Sequence, residues 1–399
     1  VGGDMKYIEG KSDPMHSYFE KNKTNRYSTQ LSISHKLNDK TKISFKNGFS
    51  YYGRSIGIPD YLFSGVQLSS YTEMNFIFKR EKSEWVGGIN FLTDEFKQDK
   101  QDTIIPVNYR QNTVGAFLQN TWDASETITI ETGLRGDYQN IYGFFLLPRI
   151  SALFKINNHF ASRLGGGLGY KVPNVFTEDA EKIQFKNVLP VDIKNRHAEK
   201  SYGANFDINY RAGLFNDQVS VSVNQLFFYT RINDPLVLTQ LTSGYYEYLQ
   251  PKGFIDTKGI ETNLKLTYNN FKLFIGYTFA EVQQHYLTTS LFPLVAKNRF
   301  NNVLMYEVED KLKIGLEGYY YSPQKLSDGS TGKSYWLCGL MAEKLWEKFS
   351  LFINFENILD VRQTKFDTIY TGTITSPVFR DIYAPLDGFI FNGGIKIRL

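Results

Sequence analysis

Two short stretches of this 399-residue sequence carry residue types at spacings that could do chemistry. "GRSIG" at 53–57 has the Gly-x-Ser-x-Gly form of a nucleophile elbow, in which Ser55 would attack an acyl carbon. That chemistry needs a strand, a sharp turn and a helix under the serine. Pro59 and an aromatic segment follow instead, which favours coincidence over catalysis at Ser55. "SDGSTGKS" at 327–334 nearly has the form of a phosphate-binding loop, but Ser327 stands where the first glycine is required and a strand pattern follows. His16, His35, His159, His197 and His285 have no metal-ligand spacing; only His197, at the end of a long loop, stands near a place a ligand could reach. Cys338 is the only cysteine, which excludes a disulfide within the chain and a Cys-based zinc cluster. The sequence therefore reads as a non-enzyme with no cofactor.

Composition indicates what else such a chain could be. Aromatic residues make up 16%, with 27 Tyr and 32 Phe, which favours strands and interfaces. The net charge is only +4 and the two signs are interspersed, so no nucleic-acid stripe is present. Apolar runs such as "YWLCGLMA" at 335–342 fall far short of the roughly 20 residues of a spanning helix. If the chain crosses a bilayer, it does so as a β-barrel, the other structure that leaves no backbone group unpaired in lipid. The chain opens Val1-Gly2-Gly3 without a signal peptide, and is expected to begin inside a longer protein.

Period-two alternation recurs from end to end. Strands are expected near 24–37, 41–53, 68–80, 84–96, 110–123, 126–138, 146–156, 159–171, 197–211, 217–231, 256–269, 271–286, 298–309, 311–323, 334–345, 349–363 and 387–399. Asn38-Asp39-Lys40, Asn157-Asn158, Asn269-Asn270 and Glu347-Lys348 are tight polar turns. Between them lie longer links near 54–67, 97–109, 172–196, 232–255, 287–297, 324–333 and 364–386. Short turns at one end and long loops at the other are the pattern of an outer-membrane barrel. In "FASRLGGGLGYK" at 160–171, Phe160, Leu164, Leu168 and Tyr170 would face lipid, and Arg163 and Lys171 a watered lumen or its plug. Tyr51-Tyr52, Trp122, Tyr319-Tyr320-Tyr321 and Trp336 lie near strand ends, as aromatic girdles do.

Several stretches resemble the barrel of TonB-dependent receptors, of the Bacteroidetes type. They are "GAFLQNTW" at 115–122 with "TITIETGLRGDY" at 127–138, "LLPRISALFKI" at 146–156, "GYKVPNVFTEDAE" at 169–181, "KGIETNLKLTY" at 258–268 and "FENILDVRQTKF" at 355–366. Lys171 and Val172 stand where the family pattern has arginine and alanine. Asn392, Gly394, Ile397 and Leu399 are similar to the terminal signal read by barrel-assembly machinery, with Leu399 in place of the usual Phe.

The resemblance implies an all-β fold: a partial antiparallel transmembrane barrel over 1–399, with ~17 of about 22 strands and no plug domain. The two unpaired edges of such a fragment are penalised by lipid, so it should neither transport nor be stable alone. It also implies a cell outer membrane location and TonB-driven uptake of a scarce nutrient, an iron–siderophore complex first. The plug and the TonB contact would come through the missing N-terminal region. The rivals are a passive porin, an outer-membrane hydrolase using Ser55, and a soluble adhesive β-protein. In the family the substrate lies between plug apex, inner wall and external loops. The matching loops here carry Tyr61, Phe63, Tyr142, Phe144, Tyr245, Tyr246, Tyr370, Arg380 and Tyr383 as candidate ligand-binding residues. Aromatic rings could stack on planar ligands, and arginine could pair with carboxylates.

Overall fold

In the computed structural model the described residues are 18–100, 105–286, 288–373 and 376–397. Val1-Gly2-Gly3, His16 and Leu399 lie outside them. The alternating segments form β1 (Lys21–Asn38), β2 (Thr41–Ile58), β3 (Tyr61–Arg80), β4 (Ser83–Gln98), β5 (Tyr109–Asp123), β6 (Ile128–Gln139), β7 (Gly143–Lys155) and β8 (Phe160–Lys171). A short helix α1 (Glu178–Lys182) follows, then β9 (Glu199–Leu214), β10 (Val219–Asn233), β11 (Val237–Gln240), β12 (Tyr246–Leu249), β13 (Phe254–Tyr268) and β14 (Phe271–Tyr286). The chain ends with β15 (Thr288–Leu291), β16 (Asn298–Val308), β17 (Leu312–Tyr321), β18 (Tyr335–Leu345), β19 (Phe349–Glu356), β20 (Tyr370–Thr373), β21 (Ser376–Phe379) and β22 (Ile390–Ile397).

Leaving out the short β11, β12, β15, β20 and β21, seventeen long strands remain, each antiparallel to the next along the chain. The fold is a partial antiparallel barrel wall. Among the described residues β1 pairs only with β2, and β22 only with β19. Every residue of β1 is exposed, as befits a strand with one free edge.

The register sorts side chains into two faces. Ile150 and Gly166, Ala152 and Leu164, and Leu164 and Phe206 are cross-strand partners on the outer face. Arg163 stands between Leu153 and Asp207 on the inner face. Ile150, Leu164 and Phe206 are exposed side by side on the outer face, a contiguous apolar surface of the kind that meets a membrane. Outward rings form a belt across four strands: Tyr277 to Phe300 at 4.7 Å, Phe300 to Tyr320 at 6.2 Å, and Tyr320 to Trp336 at 5.1 Å. Of the girdle residues expected from sequence, Tyr51 and Tyr320 share this outer face, whereas Tyr319 turns inward to Glu317.

Two expectations are corrected. The link at 54–67 does not exist: β2 and β3 join through Pro59-Asp60 alone, with Asp60 at φ +58°. Both strands run on past the roughly 9–11 residues that span a bilayer, so the wall rises above it. Tyr170 does not face lipid. β8 pairs with β7 only as far as Gly167, while its ladder with β9 continues to Lys171. Released from β7, the end of β8 lays the Tyr170 ring on Phe145 at 3.9 Å, and its hydroxyl donates to Asp137 at 3.0 Å.

Replacing Leu164 by Arg in the protein folded into lipid vesicles should lower unfolding free energy by about 2–4 kcal/mol. Arg163→Gln, one residue away on the inner face, should change it by no more than about 0.5 kcal/mol. Urea titration of the two variants measures both.

Candidate functional site

Eight connections at one end of the wall are short, such as Asp39-Lys40 and Asn269-Asn270, while most of the long ones gather at the other. There the segment 172–198 turns inward. The Pro173 carbonyl accepts from Gln111 Nε2 on the wall at 2.7 Å, and Thr177 caps α1 by accepting from the Ala180 N–H. Gln184, Phe185 and Asn187 then take left-handed backbone angles. This coil presses Phe185 onto Phe63 at 4.5 Å, while Phe176 meets Phe96 edge-on at 4.8 Å. The Tyr61 hydroxyl donates to the Phe185 carbonyl, and Arg54 pairs with Glu181. Ile56, Val107, Val175, Val188 and Tyr248 complete a buried cluster between the wall and the loops. The β11–β12 hairpin is tied in through a bridge between Val188 and Tyr246. The Tyr248 hydroxyl donates to the Val175 carbonyl at 2.7 Å, and burial pushes its pKa up to about 12.

A second cluster closes the loops 322–334 and 357–389 around Leu326, Tyr383 and Ala384. Its organiser is Gln363, 1% exposed, whose side-chain oxygen accepts from the N–H groups of Tyr383 and Ala384 while its amide donates to the Asp381 carbonyl. A Cβ on Gly332 would lie 2.6 Å from the Tyr383 ring, so only glycine lets that strap pass. Arg380 bridges Asp328 at 3.0 Å and Asp367 at 3.3 Å. Lys182 reaches Asp381 at 3.6 Å and joins the two clusters over the mouth.

Below the mouth the inner wall carries a polar patch. Arg135 donates to Asp137 at 2.7 Å, and Tyr71 bonds Glu73. A Cβ on Gly115 would stand 2.3 Å from Asp137, so that position needs glycine. Asn90 is buried there, and among the described residues neither its Nδ2 nor the buried Asn75 Oδ1 has a partner. Among the described residues, no three His, Cys, Asp or Glu side chains converge as metal ligands.

The sequence matches the family described as TonB dependent receptor-like, beta-barrel, over residues 6–358. The chain belongs to the TonB-dependent receptor family. Solved structures with the same fold include the copper transporter OprC, at TM-score 0.72 and 12% identity over 96% of this chain and 66% of that one. The FrpB iron transporter from Neisseria meningitidis (F5-1 variant, apoprotein) gives 0.70 and 14% over 94% and 64%. The siderophore receptor PirA from Acinetobacter baumannii gives 0.66 and 14% over 94% and 62%. The chain thus spans about two thirds of the length of these receptors. No curated protein is significantly similar to it.

The receptor fold brings only some of the candidate residues together. Tyr61, Phe63 and Tyr246 meet in the first cluster. Tyr61 and Phe63 lie on β3 rather than in a loop, and Phe63 is 1% exposed. Tyr383 and Arg380 serve the second cluster; Tyr370 pairs with Phe379 in the β20–β21 hairpin. Phe144 is on β7, 65% exposed on the outer face, because that strand starts three residues earlier than the alternation implied. Tyr245 is exposed at a hairpin tip, and the buried Tyr142 hydroxyl has no partner among the described residues. Arg163 stands on the inner face opposite Asp207, and Lys171 pairs with Glu199 at 3.6 Å. His197 exchanges two hydrogen bonds with Gln250 and ties one loop to another. Ser55 sits in an unbroken ladder opposite Ser64, with no elbow. The inner-wall patch escaped sequence reading, although the alternation of Arg135 and Asp137 with Leu134 and Gly136 carried the signal.

Phe185→Ala removes a buried ring, and should weaken docking of 172–198 by about 3–5 kcal/mol. Limited proteolysis should then cut that segment in the variant and not in the parent. The Ser330 hydroxyl and N–H, then Arg380, hold the Asp328 carboxyl down at about 2, below its ordinary 3.8. A depressed carboxylate stabilises the folded form above its unfolded pKa, and the contribution is lost as pH falls through the folded value. Hydrogen exchange should therefore show the 322–334 loop intact at pH 5 and opening between about pH 4 and 2. Arg380→Gln should move that opening to higher pH.

Proposed function

We propose that the receptor of which this chain is part sits in the outer membrane and imports a scarce nutrient in a TonB-driven step. The nutrient class is an iron–siderophore complex. Residues 1–399 form one barrel unit, and a plug that meets TonB is contributed by a separate N-terminal region. The observation that supports active import over a passive pore is the family match over residues 6–358, and the mouth loops, packed into two buried clusters joined by Lys182 and Asp381, are in keeping with it. The iron class draws on the fold shared with an iron transporter and a siderophore receptor. The family is one of receptors and transporters, not enzymes.

Among the candidates, Tyr245 and Tyr142 are proposed to touch ligand, one through an exposed ring and the other through an unpartnered hydroxyl. Arg380 is proposed to reach ligand carboxylates when the loops open. Tyr61, Phe63, Tyr246 and Tyr383 act by holding the mouth in shape. Tyr370 and Phe144 are assigned no ligand contact, and Arg163 and Lys171 face the lumen and its plug.

Growth of iron-starved cells on a ferric catecholate, with the full-length receptor as their only importer, tests the proposal. Growth should require TonB, and Tyr245→Ala should raise the half-saturating concentration about threefold to tenfold. Equal uptake without TonB would contradict active import. Uptake of a non-iron solute alone would contradict the substrate class.

A further inference from the structure

On four neighbouring strands the outer face changes from apolar to charged toward the loops. Reading outward positions toward the loops, β9 passes from Phe206 through Tyr202 to Lys200, and β10 from Phe227 through Tyr229 to Arg231. β13 passes from Leu264 through Ile260 to Lys258, and β14 from Ile275 through Phe279 to Glu281. Lys200 faces Asn233, Arg231 faces Tyr202, and Lys258 faces Tyr229 on one side and Glu281 on the other, so the transition steps one outward position from β9 to β10 and one from β10 to β13, then stays level to β14.

Above this line the cations exceed the carboxylates. Lys258 at 3.4 Å and Lys297 at 2.6 Å share the single carboxylate of Glu281. Asp256, opposite Arg231 in the ladder, is turned to His285 at 2.8 Å. Arg231 has no ion pair among the described residues. Its guanidinium lies 3.5 Å from the centre of the Phe254 ring and 6.0 Å from that of Tyr202, and its Nε donates to Asn233 at 2.9 Å. Phe254 stacks in turn on His285 at 4.3 Å. The guanidinium is thus fixed in orientation, with both terminal nitrogens unspent among the described residues, the arrangement that takes a phosphate in two parallel hydrogen bonds. Lys258 is its diagonal neighbour on the same face and Lys200 lies one step toward the loops.

We propose that Arg231, Lys258 and Lys200 form a binding site for the phosphate of a lipid headgroup on the outer wall. The charge is complementary. The position selects lipid over a free anion, because the site opens sideways, directly above outward apolar side chains, and not into the lumen. The proposal rests on the reading of the outer face as lipid-facing, and is independent of any imported substrate.

The test uses the full-length receptor in nanodiscs holding equal amounts of phosphatidic acid and diacylglycerol with identical tails. Native mass spectrometry after release into detergent counts the lipids retained. The parent should retain phosphatidic acid in preference, and excess inorganic phosphate should not displace it. Arg231→Gln with Lys258→Gln should lower that retention at least threefold, while Arg231→Lys with Lys258→Arg should keep most of it. The heat-modifiable gel shift of a folded barrel shows that each variant is folded. Equal retention of the two lipids by the parent, unchanged retention in the glutamine variant, or displacement by inorganic phosphate would each overturn the proposal. Uptake assays on the same variants keep this outcome separate from the import reading, since a lipid site can fail while import stands.

Discussion

A peptide group in hydrocarbon has no water to bond, so every N–H and C=O of a spanning segment must find a partner in protein. That constraint organises the whole chain. It forces each long segment into a ladder with its sequence neighbour, and the ladder fixes which side chains look out. Because the side-chain period is two, a slip of one residue would carry Arg163 into lipid and Leu164 into the lumen. Ion pairs such as Lys272 with Glu307 and Lys396 with Glu343 can then form on the inner face, across strands whose outward residues are apolar. The same ladder leaves β1 and β22 with free edges among the described residues, and those edges define where further strands belong.

The constraint relaxes where the wall rises out of the bilayer. Peptide groups there can bond to side chains, and they do. Gln139 takes the N–H groups of Ile141 and Tyr142, Gln363 takes two more, and Gln250 bonds both His197 and Asp234. These glutamines let long irregular segments fold compactly without a ladder. The apolar content of the mouth follows the same logic. Phe63, Phe96 and Ile56 point inward from the extended ends of their strands, and the coil around Phe185 covers them. The mouth is thus held in shape by ordinary hydrophobic burial, placed on strands longer than the membrane requires.

The sequence spoke clearly wherever the ladder rules. The strand count, the antiparallel order, the tight turns at Asn157-Asn158 and Asn269-Asn270, and the two faces around Arg163 and Leu164 all follow from period-two alternation. It was less legible where alternation continues through a turn or breaks without a signal. Pro59-Asp60 looked like part of a long loop because the residues beside it are aromatic and glycine-rich, yet they pair as strand. Tyr170 kept its place in the alternation but lost its neighbour on β7, which no local pattern announces. Tyr61, Phe63, Tyr246 and Tyr383 were visible as loop-end aromatics. Their role in packing depends on contacts with residues 20 or more positions away, such as Phe185 and Gln363, and so could not be read locally.

The sorting of faces is measured most directly with spin labels at neighbouring positions of β7 and β8 in the full-length protein, with Cys338 replaced by Ser. Labels at 150, 164 and 168 should relax with dissolved oxygen and be shielded from a water-soluble nickel chelate. Labels at 149, 163 and 165 should show the opposite preference, giving a period of two along both strands. Equal chelate access at all six positions, or oxygen preference at 163 over 164, would contradict a lipid-facing wall.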